Sequence, residues 1–415
     1  MIRIYLTVFS LASLLSTAVA WTYYSYFKSD FAALLVFFGQ DGWCEPGSQG
    51  IGVHCFGDYA SIHFSSLFQV PQGPEVVYPI ITRLIRLPFF LIESISNYQV
   101  GLVMYLVAIL LAVSYPIWHS YFRERNKISI TLWITITFLN LGTISSLDRG
   151  NVIAFSVPFL YLFFIRFYDR QDKSASLYLT IATIVKPQLA LFALLFLWRT
   201  EIKTMVIFSL RTVSVVTLPY LIYGTQSFTV LKGWIIETLR WSKSLPSAAN
   251  FPTNYSFNRV GDVFGVDYPM FSFFLGTILL AGLALPFVVQ KRKILAEDLV
   301  NFGLVVLCMN SIVYVYYSVL VIPMWVVLLT RPCNDFKRDS GFSIKRKLLP
   351  AVLALASAPL AWPSRWRIGD SISSDGAYNV VPLVVTTSIV FYILLVITAS
   401  LSNMNKSRHY NLETL

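Results

Sequence analysis

The chain has 415 residues, of which 56% are hydrophobic and only 13% are charged. A soluble globular protein carries about 25% charged residues and divides into domains beyond about 250–300 residues, but no polar linker divides this sequence. Hydrophobic runs of membrane-spanning length recur along it, without the alternating pattern of barrel strands. The composition excludes a soluble enzyme, a β-barrel and a disordered scaffold. It predicts an all-α polytopic membrane protein.

Twelve apolar segments are predicted to cross the membrane, with both termini in the cytoplasm. They cover residues 4–24, 98–118, 128–145, 152–166, 174–186, 188–199, 205–222, 269–289, 297–313, 315–330, 348–362 and 380–401. The stretches 174–199 and 297–330 admit other divisions. The net charge of +11 is concentrated in the segments assigned to the cytoplasmic side. The positive-inside rule accounts for this basicity, so no nucleic-acid partner is predicted.

The first apolar segment has two interpretations. Arg3, an apolar stretch and Ala18-Val19-Ala20 are typical of a secretory signal with a cleavage site. A retained first span is favoured, because Arg3 then fits the positive charge of the cytoplasmic side. Cleavage would leave eleven spans.

Three long segments are predicted to face away from the cytoplasm. They cover residues 25–97, 223–268 and 363–379. Connections in compact domains are usually short, and functional residues are frequent in loops. We therefore treat residues 1–415 as a single transmembrane domain with its active site on the extracytoplasmic side. The first long loop is expected to carry helices along the membrane surface, one of them within 75–93, where Arg83 and Arg86 lie on an apolar background.

The first loop also holds a candidate disulfide and a candidate acid. Cys44 and Cys55 are eleven residues apart, and in an oxidising compartment they are expected to form a disulfide just before Asp58; two unpaired thiols are the alternative. Asp58 lies near the start of a predicted surface helix, where a carboxylate stays ionised. On spacing alone, an ordinary N-cap is the favoured interpretation of Asp58.

A metal site in this loop is not predicted. His54, Asp58 and His63 match no standard ligand spacing, because two histidines nine residues apart do not share a helical face.

Two cations interrupt apolar surroundings. Arg149 lies in Leu147-Asp148-Arg149-Gly150-Asn151, and its planar guanidinium suits a phosphate; a helix terminator with an interfacial arginine is the alternative. Lys186 precedes Pro187 within an otherwise apolar stretch, and a lysine there is costly unless it faces a cavity or the interface. Binding of a phosphate and simple interfacial anchoring both remain open for Lys186.

The later outside loops combine tryptophans with amides and arginines. Trp234 and Trp241 precede Asn254-Tyr255-Ser256-Phe257-Asn258-Arg259, and Trp362 and Trp366 repeat the mixture. Aromatic faces and amide groups suit sugars, since sugars have apolar ring faces and many hydroxyls. An interfacial aromatic belt would produce the same pattern.

Four of these segments, in this order, resemble the C-type (GT-C) membrane glycosyltransferases of family 87. The segments are Gly57-Asp58-Tyr59, Leu147-Asp148-Arg149-Gly150-Asn151-Val152, Lys186-Pro187-Gln188 and Asn254-Tyr255-Ser256-Phe257. The resemblance covers about residues 1–330. It implies a GT-C-like fold of about twelve transmembrane helices, with long extracytoplasmic loops that carry interfacial helices.

The resemblance also implies an activity. Such enzymes transfer a sugar, with inversion, from a polyprenyl-phosphate carrier to a hydroxyl of a lipid-linked glycan or glycolipid. Asp58 would be the general base. The residues that would bind the substrate or its phosphate are Arg149, Lys186, Arg259, Asn151, Asn254, Tyr316 and Tyr317. No cofactor is implied, although a divalent metal stays open. A bacterial inner membrane is the expected location.

One departure from the family bears on the mechanism. Members often carry a Ser-Trp-x-His-His run where this chain has Asn310-Ser311-Ile312-Val313-Tyr314-Val315-Tyr316-Tyr317. Tyrosines donate hydrogen bonds but do not relay protons near neutral pH. A non-catalytic member of the same fold therefore stays an alternative. The main alternative is a lipid or sugar transporter or flippase, since Lys186 in a broken helix pair could also serve transport.

Overall fold

The structure is a computed structural model. It describes residues 59, 79–123, 137, 141–244, 256–264, 270–290, 294–310, 313, 315–330 and 381–413. Within these ranges the regular elements are α-helices and short 3-10 helices, and no β-strand occurs among them. The prediction of an all-α chain is confirmed for this part of the molecule.

The α-helices of these ranges are numbered in chain order. The first seven are α1 (Ile80–Leu84), α2 (Leu87–Ile95), α3 (Tyr98–Arg123), α4 (Leu141–Arg149), α5 (Val157–Tyr168), α6 (Asp172–Val185) and α7 (Leu194–Trp198). The remainder are α8 (Ile202–Thr217), α9 (Ser227–Ser244), α10 (Asn258–Val263), α11 (Phe271–Gln290), α12 (Ala296–Cys308), α13 (Val321–Thr330) and α14 (Val381–Glu413). The 3-10 helices cover Val152–Ser156, Pro187–Ala193, Leu218–Gln226 and Val315–Leu320.

Two helical runs in the described part are long and apolar enough to cross a membrane. They are Tyr98–Phe122 and Ile202–Glu237. The second run is interrupted at Gly224, whose backbone (φ 56°, ψ −125°) leaves helical geometry. Shorter apolar helices of 10–17 residues cover Val152–Tyr168, Pro187–Trp198, Phe271–Pro286, Tyr317–Thr330 and Pro382–Thr398. The count of about twelve spans stays a prediction.

The helix α5 is packed among several of the described helices. It packs against α3, α6 and α13. Its Phe163 and Phe164 and the Trp325 ring of α13 are fully buried in one hydrophobic core. Long apolar side chains at helical spacing therefore join α5 to these three helices.

Other helices expose apolar surface instead. Val103 and Leu111 of α3, and Leu210 and Val213 of α8, are each at least half exposed. Exposed apolar surface of this extent is typical of a face that contacts lipid or another protein.

Several predicted features lie outside the described residues. They are the spans 4–24 and 348–362, the third loop 363–379, and most of the first loop 25–97. The second predicted loop, 223–268, is described in part. It begins with the end of a 3-10 helix and continues as α9, an eighteen-residue helix.

Candidate functional site

A helical hairpin presents Lys186 at its tip. The helix α6 ends at Val185, Lys186 adopts an extended backbone (φ −143°, ψ 103°), and the chain then returns through a 3-10 helix that starts at Pro187. At the opposite end of the hairpin, Asp172 Oδ1 and Arg199 Nη1 form an ion pair of 2.9 Å. Because the two ends meet, the two halves are antiparallel. The predicted helix break at Lys186 is confirmed.

A second chain reversal brings Tyr317 to Lys186. The helix α12 ends at Cys308, and the chain continues through a 3-10 helix into α13, which packs against α12. The Nζ atom of Lys186 lies 5.0 Å from the centre of the Tyr317 ring. The lysine is 8% exposed, so this cation–π contact is largely shielded from water. Two predicted site residues, far apart in sequence, are therefore in direct contact.

The arginines of the first loop are buried beside this hairpin. The Thr82 hydroxyl of α1 donates a hydrogen bond to the Ile184 carbonyl oxygen, 2.6 Å away, two residues before Lys186. Arg83 and Arg86 are each only 1% exposed. The predicted location of this stretch along the membrane surface did not anticipate their burial. Neither Arg83 nor Arg86 was among the predicted site residues.

Arg86 and Arg83 have different aromatic neighbours. The guanidinium carbon of Arg86 lies 5.9 Å from the centre of the Tyr105 ring in α3. Arg83 lies close to Tyr220 and Tyr223, in the 3-10 helix that follows α8. The two arginines are only three residues apart, but Arg83 lies in α1 and Arg86 directly precedes α2. The local sequence pattern therefore gave no signal of their burial.

The segment that holds Arg149 packs against Tyr59. Gly150 ends α4 with a left-handed backbone (φ 61°), and the Asn151 amide donates to the Ser146 carbonyl, as in a glycine-terminated helix. A Cβ atom at Gly150 would lie 3.0 Å from the Tyr59 Cβ. The Tyr105 hydroxyl donates to the Gly150 carbonyl oxygen (3.0 Å). Tyr59 directly follows Asp58 in sequence, so two of the four family-like segments are adjacent in the fold.

Arg149 and Asn151 have different environments. Arg149 is the last residue of α4 and is half-buried. Asn151 is buried, and its Oδ1 accepts a hydrogen bond from the Ile153 amide (2.9 Å), which caps the following 3-10 helix. A role for Asn151 in substrate binding stays a prediction, and its capping role is a structural one.

Tyr59 is held in an aromatic cluster. Its ring centre lies 4.7 Å from that of Tyr105 and 5.8 Å from that of Phe90. Its hydroxyl donates to Glu93 Oε2 at 3.3 Å. Burial, followed by the negative charge of Glu93, raises the pKa of the Tyr59 hydroxyl above its ordinary value. Tyr59 therefore remains neutral and anchors the chain next to Asp58.

The segment leading to Arg259 is fixed at the end of α12. The Phe257 amide donates to the Cys308 carbonyl oxygen at 2.8 Å. The Ser256 and Ser272 hydroxyls are 2.7 Å apart, and the Ser272 hydroxyl also lies within 3.0 Å of the Cys308 carbonyl. Arg259 follows in α10 and is 5% exposed. The fourth family-like segment thus contacts the stretch that leads into Tyr317.

Other predicted residues lie outside what the structure describes. These are Asp58, Asn254, Cys44 and Cys55, together with His54 and His63. Tyr316 lies in the described 3-10 helix Val315–Leu320, but its side chain is outside the described part. Among the described residues, no group of three or more His, Cys, Asp or Glu side chains could hold a metal ion.

The arrangement gathers cations and aromatic rings from separate parts of the chain. Lys186, Arg83 and Arg86 are each buried, and the Thr82–Ile184 hydrogen bond joins the two segments that carry them. Tyr317 lies against Lys186, and Tyr105 lies against Arg86. Such a cluster suits an anionic ligand. Comparisons of the chain with known protein families, curated proteins and solved structures found no match.

Proposed function

We propose that the protein is a multi-pass membrane glycosyltransferase. It would move a sugar, mannose or a similar hexose or pentose, from a polyprenyl-phosphate carrier to a hydroxyl of a lipid-linked glycan or glycolipid. The observation that carries the proposal is the contact of the buried Lys186 with Tyr317. The stretch that carries the buried Arg83 and Arg86 is joined to this hairpin by the Thr82–Ile184 hydrogen bond. Lysine and arginine side chains bind phosphate oxygens, and the leaving group of this reaction is a lipid phosphate.

The proposed reaction is a single displacement with inversion. Asp58 takes the proton of the acceptor hydroxyl, while the acceptor oxygen attacks the anomeric carbon. The bond from that carbon to the phosphate oxygen breaks, and the lipid phosphate leaves with the electron pair. Lys186, Arg149 and Arg259 stabilise the charge that develops on the phosphate, and this is an electrostatic role. Asn254, Tyr316 and Tyr317 are proposed to contact the substrate.

The proposed orientation puts the active site on the extracytoplasmic face of a bacterial inner membrane. The closed end of the Lys186 hairpin lies opposite Asp172 and Arg199, which adjoin the basic segments assigned to the cytoplasm. Lys186 and its neighbours then face the side where a lipid-linked sugar enters from the outer leaflet. The aromatic residues around Tyr59 would form the wall next to Asp58.

One observation favours a second candidate, a lipid or sugar transporter. Lys186 lies between two short helical segments, and discontinuous helices often form the binding sites of transporters. A non-catalytic member of the same fold would also retain the cluster. Both alternatives predict that the labelled sugar stays on its carrier.

The test compares Asp58→Asn with the wild type. Purified protein in nanodiscs receives radiolabelled polyprenyl-phosphate-mannose and a membrane lipid extract, and in a second series the arabinofuranose donor. General base catalysis contributes about 10²–10⁴-fold, so we expect transfer to fall by that factor while donor binding persists. Glu201→Gln, at an exposed carboxylate, is the matched control and should transfer normally.

The result has three readable outcomes. Transfer by the wild type and Glu201→Gln, but not by Asp58→Asn, supports the proposal with Asp58 as base. Equal transfer by all three proteins removes Asp58 from the mechanism. Movement of the labelled donor across a liposome membrane, without transfer to an acceptor, favours the transporter.

A further inference from the structure

Arg86 is the most unusual buried group among the described residues. Its side chain is 1% exposed, and its Nε, Nη1 and Nη2 atoms have no hydrogen-bond partner in the described part of the chain. Its aromatic neighbour is Tyr105, at 5.9 Å from the guanidinium carbon to the ring centre. A guanidinium carries five N–H donors and stays charged, so an aromatic ring satisfies it only in part.

A buried, charged guanidinium without hydrogen-bond partners lowers the stability of the ligand-free protein. Buried charges in proteins are normally paired, because the loss of hydration is not otherwise compensated. A buried polar group without partners therefore points to a ligand that supplies them. The geometry of a guanidinium specifies that ligand chemically, since its planar pair of N–H donors matches two oxygens of a phosphate or carboxylate.

The surroundings of Arg86 connect it to the candidate site. Tyr105, which faces Arg86, donates its hydroxyl to Gly150 of the Arg149 segment and packs against Tyr59. Thr82, on the preceding helix, is hydrogen-bonded to the hairpin end that carries Lys186. Arg86 is thus connected to both groups of candidate site residues. A ligand that contacts both the Arg149 segment and the Lys186 hairpin would be one whose anionic group adjoins the reacting sugar.

We propose that Arg86 binds a phosphate oxygen of the lipid-linked substrate and that it is kept without a partner for this purpose. The choice of a lipid-linked phosphate rests on the proposed function. Arg86, which directly precedes α2, then adds a further cation to the proposed site. Because Arg86 is enclosed, a neighbouring segment must move before the anion reaches it.

The experiment measures binding and stability in the same variants. Full-length wild type, Arg86→Met, Arg86→Lys and the control Arg211→Met are purified in detergent, and polyprenyl phosphate is titrated by tryptophan fluorescence. Uncharged polyprenol and inorganic phosphate are titrated in parallel. The midpoint of thermal unfolding is recorded without ligand. Arg211 is chosen because its Nη1 atom already has a partner, the Ser176 hydroxyl at 3.3 Å.

We expect Arg86→Met to weaken the binding of polyprenyl phosphate by roughly 10- to 150-fold. This factor corresponds to the free energy of one hydrogen bond to a charged group. Its ligand-free unfolding midpoint should be equal to that of the wild type or higher, since methionine removes an uncompensated charge. Arg86→Lys should bind with intermediate affinity, because it keeps the charge but loses the planar fork. Arg211→Met should bind like the wild type.

Three results would overturn the inference. The first is unchanged binding of polyprenyl phosphate by Arg86→Met, and the second is a clearly lower unfolding midpoint of ligand-free Arg86→Met. The third is binding of inorganic phosphate or polyprenol to the wild type with the affinity of polyprenyl phosphate. The transfer assay separates this inference from the proposed function. Loss of binding in Arg86→Met without sugar transfer by the wild type would refute only the transferase. Normal transfer and normal binding by Arg86→Met would refute only the role of Arg86.

Discussion

Gly150→Ala tests the contact between the Arg149 segment and Tyr59. Gly150 has φ 61°, a conformation that costs an L-residue about 1–2 kcal/mol. The added Cβ would lie 3.0 Å from the Tyr59 Cβ and 3.5 Å from its amide nitrogen. Overpacking of this kind costs about 1–3 kcal/mol. We therefore expect the free energy of unfolding to fall by about 2–5 kcal/mol in total.

The assay is thermal unfolding of the purified protein in one detergent, followed by tryptophan fluorescence. Gly233→Ala is the matched control, because Gly233 lies within α9 and a Cβ there would meet no atom within 4 Å. That variant should gain about 0.5–1 kcal/mol, since alanine favours helix. The crowding is with Cβ and main chain of Tyr59, so no other L-residue at position 59 relieves it. An unfolding midpoint of Gly150→Ala at or above that of the wild type would refute this reasoning.

Two further predictions concern the hairpin. Lys186→Met should reduce sugar transfer by roughly 10- to 150-fold, which corresponds to the free energy of one hydrogen bond to a charged group. The control Lys203→Met, at an exposed position, should leave transfer unchanged. Equal rates for both variants would contradict a role for the hairpin tip. Asp172→Asn and Arg199→Gln should each lower the unfolding midpoint. The double variant should lose less free energy of unfolding than the sum of the two single losses, because residues in contact have a coupling energy of about 0.5–3 kcal/mol. Additive losses in this double-mutant cycle would show that the ion pair does not close the hairpin.

The local pattern of the sequence predicted the helices well. The predicted span 98–118 corresponds to α3, and the break at Lys186 was predicted from the following proline. These features depend on neighbouring residues, and an apolar run or a proline acts within a few positions. The predicted spans 152–166 and 269–289 correspond in the same way to helical segments.

The burial of Arg83 and Arg86 could not be predicted by the same means. Their stretch is amphipathic in sequence, which is typical of a helix on the membrane surface. What buries them is contact with distant parts of the chain, such as the hydrogen bond from Thr82 to Ile184, 102 residues away. The contact of Lys186 with Tyr317 arises in the same way, from the meeting of two chain reversals. Local periodicity carries no information on which segments will meet.

The shortness of the Lys186 hairpin has a consequence for the host membrane. The helix α6 has 14 residues, which at about 1.5 Å per residue span about 21 Å, whereas the hydrocarbon core of a bilayer is about 30 Å thick. In the proposed orientation the tip therefore ends about 9 Å short of the outer boundary of the core. If the hairpin crosses the membrane in this orientation, the bilayer would have to thin there, or water would have to enter from outside, at a cost for each ångström of mismatch. Lipids with shorter acyl chains would reduce this cost, so membrane thickness would then determine how readily the headgroup of the proposed lipid-linked substrate reaches Lys186.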